Sequence, residues 1–296
     1  MSRLTIRAFA KINLNLRILG RRADGHHDIE SVLQTITLHD TIVLEAASRG
    51  IDLRVEGDVL PSDRTNLVRR AAEAMREESG AAAGVRIHLK KRIPWGSGLG
   101  GGSSDAAATL LGLNRLWAQR MSAERMGSLA ERLGADVPFF LLGGTARVRG
   151  RGEEVEALPD PPPRELLVVY PGRSLSTAEV YAQPDEPLTP AAGMVNIPYF
   201  GCPPEGQGID ALMGAGNDLE SRARRLCPEI GEVKDRLKLA GATGVAMTGS
   251  GSAVFGLFPS GALRDRAARD LTGRGWELFR CAPLGRGEYR RSHRLS

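Results

Sequence analysis

The sequence predicts an α+β protein of two domains, on three observations. Apolar and polar residues alternate with period two over residues 4–19, and 31–46 are again β-rich, which makes the first third of the chain rich in strands. Helical spacing interrupts these strands once, at 66–78, and returns after a glycine-rich loop. Finally, the run Leu158-Pro159-Asp160-Pro161-Pro162-Pro163 forms a stiff joint, beyond which strands and helices mix again. The boundary this implies divides the chain into residues 1–160 and 161–296.

Taken in order, residues 4–19 read as one or two strands, with a turn at 20–25. Residues 31–46 continue in strand, with His39-Asp40 as a turn, and 51–56 add a short strand. From Asn66 to about 78, the apolar residues Leu67, Ala71, Ala72 and Met75 fall on one helical face, capped by Thr65 or Asn66. Residues 85–90 are a strand. The glycine loop follows at 96–102 and opens a helix over about 103–117. A second helix covers 122–133 and is ended by Gly134-Ala135-Asp136-Val137-Pro138. Residues 144–149 and 166–170 are strands. Residues 183–215, rich in Pro and Gly, form an irregular excursion. Helices are expected at 217–226, 228–239 and 261–273, with strands around Gly249-Ser250-Gly251 and at 276–282. Arg286, Arg290, Arg291 and Arg294 read as a solvated basic tail.

The strongest local signal is Pro94-Trp95-Gly96-Ser97-Gly98-Leu99-Gly100-Gly101-Gly102-Ser103-Ser104, with five glycines among seven residues. Such a run lets main-chain N–H groups turn inward around an anion. The Ala-rich helix behind it adds free N–H groups and positive partial charge at its start. Ser103 and Ser104 bring hydroxyls for phosphate oxygens or Mg²⁺; Ser104 fits a plain N-cap equally. A P-loop NTPase motif is excluded, since it needs Lys after its last glycine. Gly96-x-Gly98-x-x-Gly101 matches the dinucleotide fingerprint literally. That fingerprint requires a hydrophobic strand just before it, and here Lys90-Lys91-Arg92-Ile93-Pro94 stands instead.

The chain resembles the GHMP kinases at three separated places in the order of that superfamily: Ala10-Lys11-Ile12-Asn13 near the start, the glycine loop, and Gly244 to Phe255 around Thr248-Gly249-Ser250-Gly251. Within the superfamily, Gly20 to His27, Leu133 to Pro138, and Tyr170-Pro171-Gly172 with Ser174, Thr177 and Tyr181 resemble the branch acting on 4-diphosphocytidyl-2-C-methyl-D-erythritol, a cytidine-diphosphate-linked polyol of isoprenoid precursor synthesis. The fold implied is a ribosomal protein S5 domain 2-like N-terminal domain with a ferredoxin-like C-terminal domain. The activity implied is transfer of the γ-phosphate of ATP, carried with Mg²⁺, to the 2-hydroxyl of that polyol.

The resemblance makes Asp136 the base that takes the hydroxyl proton, and Lys11 the cation that keeps the carboxylate ionised and supports the transferring group. It implies that Asn66, Lys91, Pro94, Gly96, Ser97, Gly98, Leu99, Gly100, Gly101, Gly102, Ser103 and Ser104 hold ATP, with Asn66 and Lys91 at the adenine end. It gives Asn13, His26, His27, Thr177, Tyr181, Thr248 and Gly249 to the substrate. His26 stands where the family carries Tyr, and is expected to stack on cytosine opposite Tyr181, with His27 at the cytosine edge. From the residues alone, Lys11 also reads as an exposed strand lysine and Asp136 as a cap.

The remaining composition excludes other classes. Net charge is +5, and its arginines are dispersed without an aromatic platform, so no nucleic-acid partner is expected. Cys202, Cys227 and Cys281 have neither disulfide nor zinc spacing. No run of 18 apolar residues occurs, so no membrane partner is expected and the protein reads as cytoplasmic. No carboxylate cluster suggests a metal held by protein alone. The sequence leaves the oligomeric state open.

Overall fold

A computed structural model describes residues 2–57, 62–80, 83–184, 212–214 and 216–293. Most of the 183–215 excursion, Cys202 and Arg294 lie outside the described residues.

The first lobe is built on one long hairpin. Strand β1 (Arg3–Arg21) pairs antiparallel with β2 (His27–Ala47) along their whole length. The turn between them closes where Arg22 N donates to the His26 carbonyl. His39-Asp40 is not a turn: β2 runs straight through it, and Asp40 is fully buried. A charged residue inside a strand looks like punctuation in one dimension; here a buried cation holds it in place. Strand β3 (Ile51–Glu56), helix α1 (Leu67–Ser79) and strand β4 (Gly84–Lys90) form a parallel βαβ unit. Strands β5 (Thr145–Arg149) and β6 (Glu154–Ala157) complete a sheet of order β3-β4-β2-β5-β6, with β1 on β2.

Helices α1, α2 (Gly101–Leu116), α3 (Ala123–Leu133) and α4 (Val137–Leu142) cover this sheet. Their apolar faces bury Met75, Leu110, Leu129, Phe139 and Phe140 against Ile42, Leu44 and Ile87. Each large side chain so buried contributes about 1.5–3 kcal/mol. Short α4 was missed by the sequence reading, which ended a helix at 134–138. Gly134 does end α3, but Pro138 then occupies the first turn of a new helix, where its missing N–H costs nothing.

The second lobe is a four-stranded antiparallel sheet of β7 (Glu165–Tyr170), β8 (Gly244–Met247), β9 (Val254–Phe258) and β10 (Glu277–Cys281). Helices α5 (Thr177–Ala182), α6 (Glu220–Leu226) and α7 (Glu229–Leu239) fall between β7 and β8, and α8 (Gly261–Asp270) between β9 and β10. The spatial order β10-β7-β9-β8 is the ferredoxin-like one expected. One sheet face carries Val169, Val254 and Phe258 against Val233, Leu237 and Ala267 of its helices. The other presses Leu166, Val168 and Phe255 onto Ala10, Ile12 and Ile36 of the hairpin. The lobes therefore share a core, and β1 is its wall.

The basic C-terminus is not a loose tail. Residues Arg286–His293 form α9, which returns to the first lobe. Tyr289 is 1% exposed, its ring meets Phe9, and its hydroxyl donates to the Phe140 carbonyl. His293, also buried, places Nε2 2.8 Å from the Arg7 carbonyl oxygen. Arg290 and Arg291 stay exposed while the apolar side of the helix docks; the charge count hid that side. Among the described residues, no helix is long and apolar enough to cross a membrane.

Candidate active site

The site forms where β1 meets the glycine loop. Lys11 and Asn13 lie two residues apart on β1 and share a face. Irregularities in the β1–β2 register fall just before and after this stretch, between Phe9 and Lys11 and between Asn13 and Asn15. Bulges re-aim side chains locally. Both residues are buried, at 3% and 4% exposure. The Lys11 ammonium donates to Asn13 Oδ1 at 2.5 Å and sits 3.8 Å from Asp136 Oδ2. Burial pulls the Lys11 pKa below the ordinary lysine value, and the Asp136 charge partly offsets that pull.

Asp136 precedes α4 at its N-cap position, yet its carboxylate makes no capping hydrogen bond. The side chain is 36% exposed and aimed at Lys11, so the ordinary cap explanation does not account for it. α4 exists to put that carboxylate there: Gly134 turns the chain out of α3, and Val137 N donates back to the Gly134 carbonyl.

The glycine loop lies against both β1 and the turn at 248–253. Lys11 N donates to the Leu99 carbonyl at 3.0 Å, and Ala253 N to the Ser97 carbonyl at 3.0 Å. Gly98 has φ +78°, and a Cβ there would stand 2.1 Å from the Thr248 carbonyl oxygen. Gly100 has φ +72° and packs over the Lys11 stem and Phe140, where a Cβ would meet the ring at 2.9 Å. Neither position admits a side chain. Helix α2 starts at Gly101, two residues earlier than the sequence reading placed it. The first helical bond runs from Ser104 N to the Gly100 carbonyl, which leaves the N–H groups of Gly101, Gly102 and Ser103 at the helix mouth.

Several expected side-chain roles change on this geometry. The Ser104 hydroxyl is buried and donates to the Phe9 carbonyl at 2.6 Å, so it anchors the helix to β1. Ser97 donates to the Pro94 carbonyl at 2.6 Å and braces the loop from within. Asn66 caps α1, its Oδ1 accepting from Val68 N at 2.9 Å. It remains next to the loop, since Leu67 lies 3.5 Å from where a Cβ on Gly102 would be. Lys91 turns away from any open surface. Its ammonium is sealed between Asp40 at 2.5 Å and Asp105 at 2.8 Å.

At the other side of the cleft, Thr248 Oγ1 accepts from Asn13 N at 3.0 Å and lies 3.2 Å from both Asn13 Oδ1 and the Gly98 carbonyl. A Cβ on Gly249 would meet Lys11 Nζ at 3.1 Å. Asn217, missed by the sequence reading, fixes this turn by donating to the Met247 and Gly249 carbonyls at 3.0 and 2.9 Å. The sequence marks it only as the start of a helix. Ser31, also missed, accepts from Asn13 Nδ2 at 2.8 Å. Thr177 Oγ1 lies 3.0 Å from Ser250 Oγ.

The aromatic end differs from expectation in one respect. His27, not His26, stacks on Tyr181, with ring centroids 4.7 Å apart and planes at 28°. His26 is 60% exposed and turned toward Asp24. On a hairpin, neighbouring residues point to opposite faces, and the register puts His27 at the last β1–β2 pair, opposite Arg21. Burial pushes the Tyr181 hydroxyl up to about 12, with the Asp136 charge adding to it. Tyr181 is thus near enough to Asp136 to feel its charge.

Comparison with known proteins follows this geometry. Residues 66–144 match the GHMP kinases N terminal domain and residues 206–277 the GHMP kinases C terminal domain. The 4-diphosphocytidyl-2-C-methyl-D-erythritol kinase of Pelotomaculum thermopropionicum is 47% identical over 259 residues, covering 86% of this chain and 88% of that one. The enzyme of the same name from Moorella thermoacetica is 41% identical over 275 residues, covering 92% and 95%. A crystal structure of 4-(cytidine 5'-diphospho)-2C-methyl-D-erythritol kinase superposes with a TM-score of 0.78 at 38% identity, over 95% of this chain and all of that one. Homoserine kinase from Cytophaga hutchinsonii shares the fold at 21% identity, with a TM-score of 0.71 over 95% of each chain. Matched in both lobes by the family models and over most of its length by these relatives, the chain belongs to the GHMP kinases, in the 4-diphosphocytidyl-2-C-methyl-D-erythritol kinase family.

Proposed function

We propose that the protein transfers the γ-phosphate of ATP to the 2-hydroxyl of 4-diphosphocytidyl-2-C-methyl-D-erythritol, with Asp136 as base and Lys11 as its electrostatic partner. The observation that carries the assignment of roles is the pairing of a buried ammonium with a half-open carboxylate at 3.8 Å, beside the mouth of α2.

The triphosphate lies against the free N–H groups of Gly101, Gly102 and Ser103, whose partial charges complement its oxygens. Its terminal phosphorus then faces Lys11. The acceptor hydroxyl enters from the Asp136 side, where the carboxylate is open enough to receive it. As the new P–O bond forms, the hydroxyl proton passes to Asp136, and the charge on the transferring group is met by Lys11. Lys11 is held by Asn13, and Asn13 by Thr248 and Ser31, so the ammonium is fixed before substrate arrives. Most of the rate comes from that preorganisation. Mg²⁺ bound to the triphosphate would neutralise part of its charge. No group of three or more His, Cys, Asp or Glu that could hold a metal occurs among the described residues.

The cytidine end reaches the His27–Tyr181 pair, and Thr177 and Gly249 flank the polyol. Two free, buried thiols, Cys227 and Cys281, suit a reducing cytoplasm. A coupled ADP-release assay with the cytidyl polyol and with homoserine tests the reading. We expect turnover with the first alone; turnover with homoserine and none with the polyol would overturn it.

A further inference from the structure

Beneath the glycine loop lies a charge cluster that the phosphoryl transfer does not use. Asp40 on β2, Lys91 just after β4 and Asp105 on α2 meet with side chains 0%, 3% and 3% exposed. Asp40 has both oxygens committed: Oδ2 to Lys91, and Oδ1 to the main-chain N–H groups of Arg92 and Ile93 at 2.5 and 2.9 Å. Asp105 is different. Its Oδ2 accepts from Lys91 at 2.8 Å, while its buried Oδ1 has no hydrogen-bond partner.

These contacts grip both ends of the loop. Asp40 holds residues 92 and 93, just before it; Asp105 holds the second turn of α2, just after it. Lys91 joins the two, and its ammonium would lie 3.3 Å from a Cβ on Gly101. The cluster sets the spacing across which residues 94–100 arch.

The charges, however, do not balance. Two carboxylates face one ammonium in a site closed to water, and an uncompensated charge there is far costlier than a neutral acid. Both Asp40 oxygens already face donors, whereas Asp105 keeps one oxygen that no donor reaches, so the proton belongs on Asp105. Burial pushes the Asp105 pKa up, and Asp40 adds to the push against the opposing pull of Lys91. Burial lowers the Lys91 pKa, but the Asp105 and Asp40 charges outweigh it and leave it raised.

We propose that Asp40, Lys91 and Asp105 position the triphosphate loop, and that Asp105 does so as the neutral acid, so that loss of its proton loosens the grip on ATP. The inference rests on residues 96–104 being the ATP loop. The charged groups facing Asp105 are Lys91 and Asp40; Asp40 itself is felt by His39, its neighbour on β2, which also faces Arg7 and Arg92. Asp105 is a positioning residue, without contact to the reacting atoms.

The test is the pH profile of the KM for ATP, read separately from kcat, in the wild-type protein and in Asp105→Asn. In the wild type, KM for ATP should climb at least about threefold between about pH 7 and about pH 9.5 as the second carboxylate ionises, with kcat changing less. In Asp105→Asn the climb should vanish, since the amide cannot ionise. Asp40→Asn gives a second route to the same end, because one carboxylate then balances one ammonium, and its climb should vanish too. A merely structural role would shift KM without changing the shape of the profile. A flat wild-type profile overturns the proposal, as does a climb that persists in both variants. Gly100→Val run in parallel separates the premises. If it leaves KM for ATP unchanged, the loop assignment falls and the inference with it; if KM rises while the alkaline climb survives in both Asn variants, the triad inference alone falls.

Discussion

Lys11 Nζ stands 3.8 Å from Asp136 Oδ2, the lysine sealed from water and the aspartate about one-third open to it. The asymmetry suits the roles proposed for the pair: a closed partner that supplies charge, and an open one that can exchange a proton with an incoming hydroxyl. Asp136→Asn keeps the shape and removes the base. We expect kcat to fall by about 10²–10⁴-fold, with KM for ATP within a few-fold of the wild type. Steady-state kinetics with both substrates checks this, and near-normal kcat would remove Asp136 from the base role.

Lys11→Met should separate catalysis from stability. The ammonium is buried at a cost, so its replacement by an apolar chain of similar length should leave Tm unchanged or raise it, while kcat falls about 10²–10³-fold. The pH dependence has a definite sign. Because the folded-state pKa of Lys11 lies below the ordinary lysine value of 10.5, the unfolded chain binds the extra proton between those two values. The burial cost is fully present below the lowered pKa and is relieved as pH rises toward 10.5. Thermal melts across the alkaline range should show that relief in the wild type and lose it in Lys11→Met.

Tyr181→Ala removes one member of the ring pair at the far end of the cleft. Stacking of this kind contributes about 1–3 kcal/mol, so KM for the cytidyl polyol should rise about tenfold or more while KM for ATP holds. Equal changes in both would mislocate the cytidine end. His26→Ala, at an exposed position, should have the smaller effect of the two.

Tyr289→Ala tests the docking of α9. The ring fills the space over Gly143, where a Cβ would stand 2.3 Å from it, and its hydroxyl satisfies the Phe140 carbonyl. Loss of a buried aromatic costs about 3–5 kcal/mol, and denaturant melts should report it. Tyr289→Phe should cost only about 1–2 kcal/mol, the share of the hydrogen bond.

Much of this arrangement was legible in the residues. The loop announced itself because five glycines cannot be spent on a linker that runs straight into an Ala-rich helix. Lys11 and Asn13 could be placed on one face because strand periodicity is local. What was not legible depended on partners distant in sequence. Asp40 looked like a turn because its cation comes 51 residues later. The arginines after residue 285 looked like a solvated tail because Phe9 and Phe140, which cover Tyr289, lie far upstream. Ser104 looked free to meet phosphate because nothing nearby in sequence hints at the Phe9 carbonyl it meets. His26 and His27 could not be told apart, since the hairpin register alone decides which imidazole faces Tyr181.

Main-chain N–H groups of β1 reach in succession to the glycine loop and to the second lobe: Lys11 N to the Leu99 carbonyl, Asn13 N to Thr248 Oγ1, Leu16 N to the Gly216 carbonyl and Ile18 N to Asp218 Oδ2. β1 is thereby held from Lys11 to Ile18 against both the loop and the second lobe. On the proposed roles, the seat for the acceptor hydroxyl is therefore built on a strand pinned from both sides, and an acceptor has to fit that seat rather than reshape it.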